Sequence, residues 1–344
     1  MDEHAHPVGP AFARATWSSF GGRGGVPASG SPTGWCVGPA LAAVPGSVGR
    51  RGGVPASGSP TGVRWWWLLC VVAAVLAGLT ARGAEPLRIV SQTVGTDELL
   101  LALAEPEQIA SLSHLAREPL FSAVSEEARQ YPQLQKQHDA EAVLSFNPNF
   151  VLVADYSRGE LVAQLRRAGV RVFVMNRYHT LEDAFANLRE LGRELGAEDK
   201  AERIIADCTA RVETLRRKLR GVTPVKVIAP STYGVIGGRE TTFQDVCDHA
   251  GAENLAATLG GLVGHAAPPN ERMLTWPVEK VVLAGDTVES ALEPYRTLPP
   301  YRFMEAVKQG RVALLKPYQL SSVTHHRVTA YEQLARELHP HLFP

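Results

Sequence analysis

The sequence predicts an α/β fold in which two Rossmann-like lobes are joined by a single long helix. Segments with strand and helix character alternate in residues 85–179 and again in 222–344, as is typical of parallel sheets covered by helices. Residues 180–220 have helical apolar spacing and contain no proline. An apolar segment that carries Glu141 is echoed by a second one that carries Glu279, which indicates that the two lobes are alike.

Bulk composition limits the classes of partner. The chain has 344 residues, of which 45% are hydrophobic, so it has enough apolar material for two ordinary domains. Its formal net charge is +0 at pH 7, and a neutral chain has no overall basic field to attract nucleic acid or an anionic membrane. We therefore expect a partner that is recognised locally, and no nucleic acid.

Residues 1–62 form an extension rich in glycine, proline and serine. A segment at 21–34 recurs nearly unchanged at 49–62, and neither copy carries a hydrophobic face. Such a composition buries too little apolar surface to offset its backbone entropy, so disorder is predicted. We interpret the extension as a mis-called start, with translation beginning near Val63 at a non-AUG codon. N-terminal sequencing tests whether residues 1–62 are translated.

Residues 63–84 have the layout of a secretory signal peptide. Arg64 precedes an apolar stretch at 65–79, and small residues follow up to Ala84. The stretch is shorter than the ~20 residues that a spanning helix needs, which favours a cleavable signal over a retained membrane anchor. The mature protein is then periplasmic or otherwise extracytoplasmic. Its two cysteines, Cys208 and Cys247, either pair or stay as buried free thiols, and their spacing does not indicate a metal site.

The first lobe, residues 85–179, alternates between strands and helices. The run at 150–154 is continuously apolar, as expected of a strand buried on both faces of a parallel sheet. Other segments have β-prone residues or apolar residues at helical spacing. The predicted strands are 87–91, 109–112, 150–154 and 171–175, and the predicted helices are 96–104 and 159–168.

The helical linker, residues 180–221, leads into the second lobe. Gly196 is predicted to separate a helix of the first lobe from a longer bridging helix, because glycine inside a helix is ~1 kcal/mol less favourable than alanine. A helical bridge resists bending, so we expect only small lobe closure. The second lobe, residues 222–344, has predicted strands at 225–229 and 311–315 and predicted helices at 242–250 and 328–338.

Six segments together carry a family resemblance. They are residues 92–98, the Glu141 segment with its Asn-Pro-Asn end at 147–149, residues 191–202 and 243–255, the Glu279 segment, and residues 306–312. In this order and spacing the chain resembles the class III periplasmic substrate-binding proteins of ABC importers, from residue 87 to 340. Two departures stand out. Asn149 occupies the place of a usual aspartate, and residues 321–327 replace a loop that often contains Pro-Arg, which leaves the ligand open.

The resemblance implies a receptor that is not an enzyme. It would be a monomeric solute-binding protein, with no intrinsic cofactor and no resident metal, that carries an Fe(III)-siderophore, haem or cobalamin to an ABC permease dimer. In that family one glutamate on each lobe meets arginines on the permease subunits, and Glu141 and Glu279 match these positions. Exposed ion pairs contribute ~0–1 kcal/mol each, so they would mainly set the orientation of docking.

The ligand of this family binds between the lobes, in loops at the carboxyl ends of strands, which agrees with the general rule for open α/β sheets. Tyrosine rings can stack on a flat macrocycle, arginine can pair with carboxylates, and histidine or tyrosine can ligate iron. His179, Thr232 and His326 are further candidates in the same loops. The predicted ligand-binding residues are Gln92, Thr93, His114, Tyr156, Arg177, Tyr178, Tyr233, His265, His325 and Arg327.

Two other readings stay open. A zinc- or manganese-binding ABC receptor would need about three histidines and a carboxylate at one point, for which His114, His179 and His249 are candidates. A two-lobed Rossmann-like enzyme, such as a glycosyltransferase, is the alternative from another class. It is disfavoured because the chain has no Gly-x-Gly-x-x-Gly after a strand, no Gly-Lys-Ser/Thr phosphate loop and no Gly-x-Ser-x-Gly elbow.

Overall fold

Two four-stranded parallel sheets lie on either side of a helical connection. The computed structural model describes residues 85–135 and 139–344, and Pro86–Pro344 form one structural unit. The predictions made for the repeat extension and the signal peptide lie outside the described residues. No helix in the described ranges is both long enough and apolar enough to span a membrane.

The first lobe is a sheet with the strand order β2-β1-β3-β4, in which all strands are parallel. Its strands are β1 (Ile89–Ser91), β2 (Ile109–Ser111), β3 (Phe150–Ala154) and β4 (Arg171–Met175). Its helices are α1 (Val94–Leu103), α2 (Ala140–Leu144) and α3 (Gly159–Arg167). Every residue of β3 is buried, which confirms the prediction for this strand.

Successive residues of β3 pack on opposite faces of the sheet, because side chains alternate along a strand. Leu152 belongs to a core with Leu99 and Leu100 of α1. Its neighbours Val151 and Val153 belong to a separate core on the side of α3. Two apolar layers therefore hold the carboxyl ends of the strands in place.

The linker consists of α4 (Leu181–Leu195) and α5 (Glu198–Lys218). Gly196 ends α4 with the left-handed backbone angle φ 65, so the predicted division of the linker is confirmed. Ala201 and Ile205 of α5 pack in the core of the first lobe, whereas Cys208 and Val212 pack in the core of the second. The long helix therefore contributes to both lobes.

The second lobe repeats the topology of the first. Its main sheet has the order β10-β9-β5-β7, so the first strand of each lobe lies between the second and the third. Its strands are β5 (Val225–Ile228), β6 (Ile236–Gly237), β7 (Ala252–Asn254), β8 (His265–Ala266), β9 (Lys280–Ala284) and β10 (Val312–Leu315), of which β6 and β8 form a separate antiparallel pair. Its helices are α6 (Thr242–Ala250), α7 (Leu255–Thr258), α8 (Asn270–Met273), α9 (Val288–Thr297), α10 (Glu305–Lys308) and α11 (Val328–Leu338).

Candidate functional site

The ends of β3 and β4 bring a group of aromatic side chains together. These strands pair in parallel, so the residues that follow them lie side by side. The hydroxyl of Tyr178 donates to both carboxylate oxygens of Asp155, at 3.0 and 3.1 Å. The ring of Tyr178 lies edge-on to Tyr156, with centroids 6.3 Å apart, and 5.2 Å from the ring of His179. Two of the three predicted tyrosines therefore lie in one cluster, which we call the aromatic loop: Asp155, Tyr156, Tyr178 and His179.

Tyr178 keeps its proton at neutral pH. Burial, followed by the contact with Asp155, raises the pKa of Tyr178 to about 12. The phenol consequently acts as a neutral hydrogen-bond donor to Asp155 when no ligand is bound.

His265 of the second lobe lies within range of an electrostatic interaction with His179 of the first. Burial lowers the pKa of His265, and the charge of the nearby His179 lowers it further. Both side chains are exposed overall. The neutral form of His265 has a nitrogen lone pair.

Tyr233 follows β5, the strand of the second lobe that corresponds to β1. Its side chain is 52% exposed, and the next residue, Gly234, has a left-handed φ of 75 that turns the chain. Beneath it the hydroxyl of Tyr295 donates to the carbonyl oxygen of Pro230 at 3.1 Å. An exposed ring on a supported turn suits stacking against a flat ligand.

Gln92 and Thr93 are buried and support the aromatic loop from below. The amide oxygen of Gln92 accepts a hydrogen bond from Ser157 at 2.5 Å. Thr93 is the N-cap of α1, and its side chain also hydrogen-bonds with Tyr156. With exposures of 1% and 4%, these two residues position the loop rather than present their side chains to solvent.

His114 and Arg177 stand in the first lobe as the sequence predicted. His114 is half-buried after β2, and burial lowers its pKa. Its Nδ1 atom has no hydrogen-bond partner among the described residues. Arg177 is exposed and forms an ion pair with Glu190 of α4 at 2.6 Å. An exposed pair of this kind is weak, so Arg177 can exchange its partner for an anionic group of a ligand.

Arg327, a predicted ligand-binding residue, is buried and contacts both lobes. Its side chain is 1% exposed, and its Nη1 atom donates to Asp245 at 2.8 Å. Its other hydrogen bonds go to the carbonyl oxygens of Tyr178 and His179. The guanidinium of Arg327 therefore links Asp245 of the second lobe to the backbone of Tyr178 and His179 in the first.

His325 also departs from the predicted arrangement. It lines a cavity of about 400 Å³ on the side of α5, together with the further candidate His326. Burial, followed by the charges of His326 and Arg211, lowers the pKa of His325 to about 3. The other lining residues are Arg203, Ile204, Asp207, Cys208, Arg211, His326 and Thr329.

The histidines of the zinc and manganese alternative do not converge. Within residues 85–135 and 139–344, no group of three or more His, Cys, Asp or Glu side chains could hold a metal ion. His249 stacks on Tyr331, with ring centroids 4.4 Å apart. Cys208 and Cys247 are both buried free thiols.

The two predicted docking glutamates have different surroundings. Glu141 is exposed on α2, in the short helix that the sequence predicted. The same prediction is wrong for Glu279, which lies in extended chain immediately before β9. The carboxylate of Glu279 accepts a hydrogen bond from the backbone N–H of Lys226 at 2.8 Å, and its own N–H donates to the carbonyl of Lys226 at 2.9 Å.

The contacts of Glu279 are those of Asn149 in the first lobe. The side chain of Asn149 accepts from the N–H of Arg88 at 2.9 Å, and its own N–H donates to the carbonyl of Arg88 at 3.1 Å. Asn149 precedes β3, as Glu279 precedes β9. The two residues are therefore equivalent: each ties the start of the third strand of its lobe to the first strand.

By the same equivalence, the residue of the second lobe that corresponds to Glu141 is Glu271 and not Glu279. Glu141 lies nine residues before β3 begins at Phe150, and Glu271 lies nine residues before β9 begins at Lys280. Both are exposed, and both are the second residue of a short helix, α2 or α8. Sequence reasoning missed Glu271, although the spacing to the following strand was present as a signal.

A family comparison agrees with this architecture. The family model described as periplasmic binding protein matches residues 89–319, well over half of the chain. The chain belongs to the periplasmic binding protein family. Within it, the predicted class is confirmed: the chain is a class III protein of ABC importers, and members of the family are extracytoplasmic. No curated protein gives a significant match.

Solved structures of family members have the same fold. The periplasmic heme-binding protein RhuT from Roseiflexus sp. RS-1, in apo form, is 23% identical, with a TM-score of 0.66 over 75% of this chain and 100% of that chain. A periplasmic heme-binding protein from Pseudomonas aeruginosa is 23% identical, with a TM-score of 0.63 over 74% and 94%. HutB of Vibrio cholerae, a periplasmic heme-binding protein, is 19% identical, with a TM-score of 0.63 over 76% and 100%. At these identities the likeness establishes the fold.

Proposed function

We propose that this protein captures haem between its lobes and delivers it to an ABC permease. The observation that carries the proposal is the cluster of Tyr156, Tyr178 and His179 where β3 and β4 end. Phenol and imidazole groups are among the side chains that hold haem iron in proteins. The solved neighbours described as heme-binding support the same ligand. A ferric siderophore and cobalamin are the other ligands of the predicted class.

Each group in the site has a role in this proposal. The rings of Tyr156 and Tyr233 pack against the faces of the macrocycle. His179 or His265 supplies a nitrogen to the iron, and the lowered pKa of His265 keeps its ring neutral for this purpose. Arg177 pairs with a propionate carboxylate in place of Glu190. His114 contributes a second neutral imidazole on the first lobe.

Docking on the permease is proposed to use Glu141 and Glu271. Both carboxylates are exposed and stand at equivalent positions of the two lobes. Glu279, the residue predicted from sequence, has its carboxylate bound to the Lys226 amide, so a permease arginine would have to displace that bond. The matched spacing of Glu141 and Glu271 sets the register of the two lobes on two permease subunits.

The remaining parts of the proposal concern export and chemistry. Residues 63–84 act as a cleavable signal peptide, which delivers a monomeric receptor to the periplasm or an equivalent compartment. The protein performs no reaction on its cargo, in keeping with a family of transport proteins.

Titration of the purified apoprotein with haem, cyanocobalamin and ferric chelates tests the ligand. We expect haem to give a shifted and saturable Soret band, which His179→Ala combined with His265→Ala weakens and shifts. His341→Ala is the matched control, because this exposed histidine lies after the last long helix. Saturable binding of a siderophore or cobalamin without haem binding would replace haem as the ligand. Absence of binding by all three would overturn the proposal.

A further inference from the structure

A buried arginine of the second lobe holds the backbone of the aromatic loop in the first lobe. Arg327 lies in the turn His325–Arg327 that precedes α11. Its Nη2 atom donates to the carbonyl oxygen of Tyr178 at 2.7 Å, and its Nη1 atom donates to that of His179 at 3.0 Å. The two carbonyls belong to the residues whose side chains form the proposed ligand site.

The guanidinium is anchored from its own lobe. Asp245 of α6 accepts from Nη1 at 2.8 Å, and the hydroxyl of Tyr331 donates to the same carboxylate oxygen. Tyr331 is fully buried and stacks on His249. Because the planar guanidinium has donors at fixed angles, the anchored group fixes the two carbonyls in direction as well as in distance.

The loop between β4 and α4 is consequently held from both lobes. Asn187 of the first lobe donates to the carbonyl oxygen of Arg177 at 2.5 Å. The N–H of His179 donates to Asp183 of the same lobe at 2.9 Å. The next two carbonyls, of Tyr178 and His179, depend on the second lobe. A rotation of the second lobe against the first would therefore shift the side chains of Tyr178 and His179.

We propose that Arg327 is a positioning residue of the ligand site, through which the orientation of the lobes sets the pose of Tyr178 and His179. The inference rests on the proposed function for its ligand, but not for its geometry. Arg327 touches backbone oxygens and no part of the cargo. Its role is to pre-organise two cargo-binding side chains, which is a recognised source of affinity.

Arg327→Lys tests this role, because lysine keeps the positive charge but replaces the planar guanidinium, which has several N–H donors at fixed angles, with a single ammonium group. The first readout needs no ligand: the ring-proton NMR signals of His179 in the apoprotein, assigned with His179→Gln. We expect these signals to move in Arg327→Lys while those of His341 do not. The second readout is haem titration, in which we expect affinity to fall by about tenfold and the Soret maximum of the bound fraction to shift.

Glu98→Leu is the matched control. Thr324 donates to Glu98 of the first lobe at 2.5 Å, so this variant removes another hydrogen bond between the lobes. It leaves Thr324 in place as the cap of the turn that carries Arg327. We expect it to lower the melting temperature and to leave the His179 signals and the Soret maximum in place. If Arg327→Lys fails to fold, Asp245→Asn removes the charged anchor and should move the His179 signals in the same way.

The outcomes separate this inference from the proposed function. His179 signals that stay in place in a folded Arg327→Lys or Asp245→Asn protein overturn the positioning role. An equal shift of those signals in Glu98→Leu also overturns it, because the effect then follows from the loss of any hydrogen bond between the lobes. Moving signals in a protein that binds no haem support the positioning role and refute the proposed ligand.

Discussion

The two lobes share a strand order but differ in the partners of their buried carboxylates. In the first lobe Asp97 and Glu98 are adjacent and buried, and neither has a salt bridge among the described residues. Asp97 accepts from Ser113, and Glu98 accepts from Ala123 and Thr324. In the second lobe Asp245 is equally buried but pairs with Arg327. The two lobes therefore repeat the order of strands, but the buried carboxylates on α1 and α6 have different partners.

Removal of the carboxylate from the second-lobe pair has the largest expected effect. Asp245→Ala leaves the guanidinium of Arg327 buried without a counter-charge, so we expect the free energy of unfolding to fall by about 3–5 kcal/mol. Urea denaturation at neutral pH measures it. Glu190→Ala is the control, because it breaks the exposed pair with Arg177 and should lower the same quantity by ~0–1 kcal/mol. Equal losses in the two variants would contradict the difference in burial.

The first-lobe carboxylates predict a pH dependence of smaller size. Burial raises the pKa of Asp97 to about 6 and that of Glu98 to about 7. At pH values between the ordinary carboxyl pKa and the raised pKa, each carboxyl holds its proton in the folded protein but not in the unfolded chain. Its contribution to stability is therefore lost as the pH rises. These two carboxyls together should lower the free energy of unfolding by about 1–3 kcal/mol between pH 5.5 and pH 8. Burial lowers the pKa values of His325 and His326, which raises stability over part of the same range, so the carboxyl contribution is measured as the difference between wild type and variant.

Glu98→Gln sharpens this test. The amide is neutral at both pH values and keeps an oxygen for the Ala123 N–H, so much of the pH dependence should disappear. Glu141→Gln removes a surface carboxylate instead and should leave the dependence unchanged. A pH dependence that is identical in the wild type, in Glu98→Gln and in Asp97→Asn would show that these buried carboxyls do not contribute to it.

The smallest expected effects concern docking. Glu141→Ala and Glu271→Ala should each weaken association with the permease by about two- to fivefold, because exposed ion pairs contribute ~0–1 kcal/mol. Glu279→Ala should leave association unchanged and lower the free energy of unfolding by about 1 kcal/mol, since it removes the bond to the Lys226 amide. Association is measured with the permease in nanodiscs at low salt. Weaker binding in Glu279→Ala but not in Glu271→Ala would restore the assignment made from sequence.

Most of the fold could be predicted from the sequence because apolar periodicity is a local property. The strand at 150–154, the helix at 242–250 and the break at Gly196 all appear where they were predicted. Other boundaries differ from the prediction by one or two residues, as at β1 and α1, because the ends of helices and strands are less sharply defined than their centres.

The site was harder to predict because it depends on contacts between distant residues. Arg327 meets Asp245 across 82 positions and Tyr178 across 149, so proximity to a strand end in sequence did not reveal its burial. Glu279 was chosen because it lies in an apolar segment like that of Glu141. The deciding property is distance to the following strand, which pairs Glu279 with Asn149 instead. His179, by contrast, was a candidate on sequence grounds and now lies within the aromatic loop.

The sharing of α5 between the two cores has a geometric consequence. Ile205 packs in one core and Cys208 in the other, three positions further along the same helix. Each residue inserted between them would turn the second lobe about the helix axis by roughly 100° and advance it by about 1.5 Å. The number of residues in this helix therefore sets the angle between the two lobes about the helix axis. Inserted residues would restore that angle only when they add up to whole helical turns.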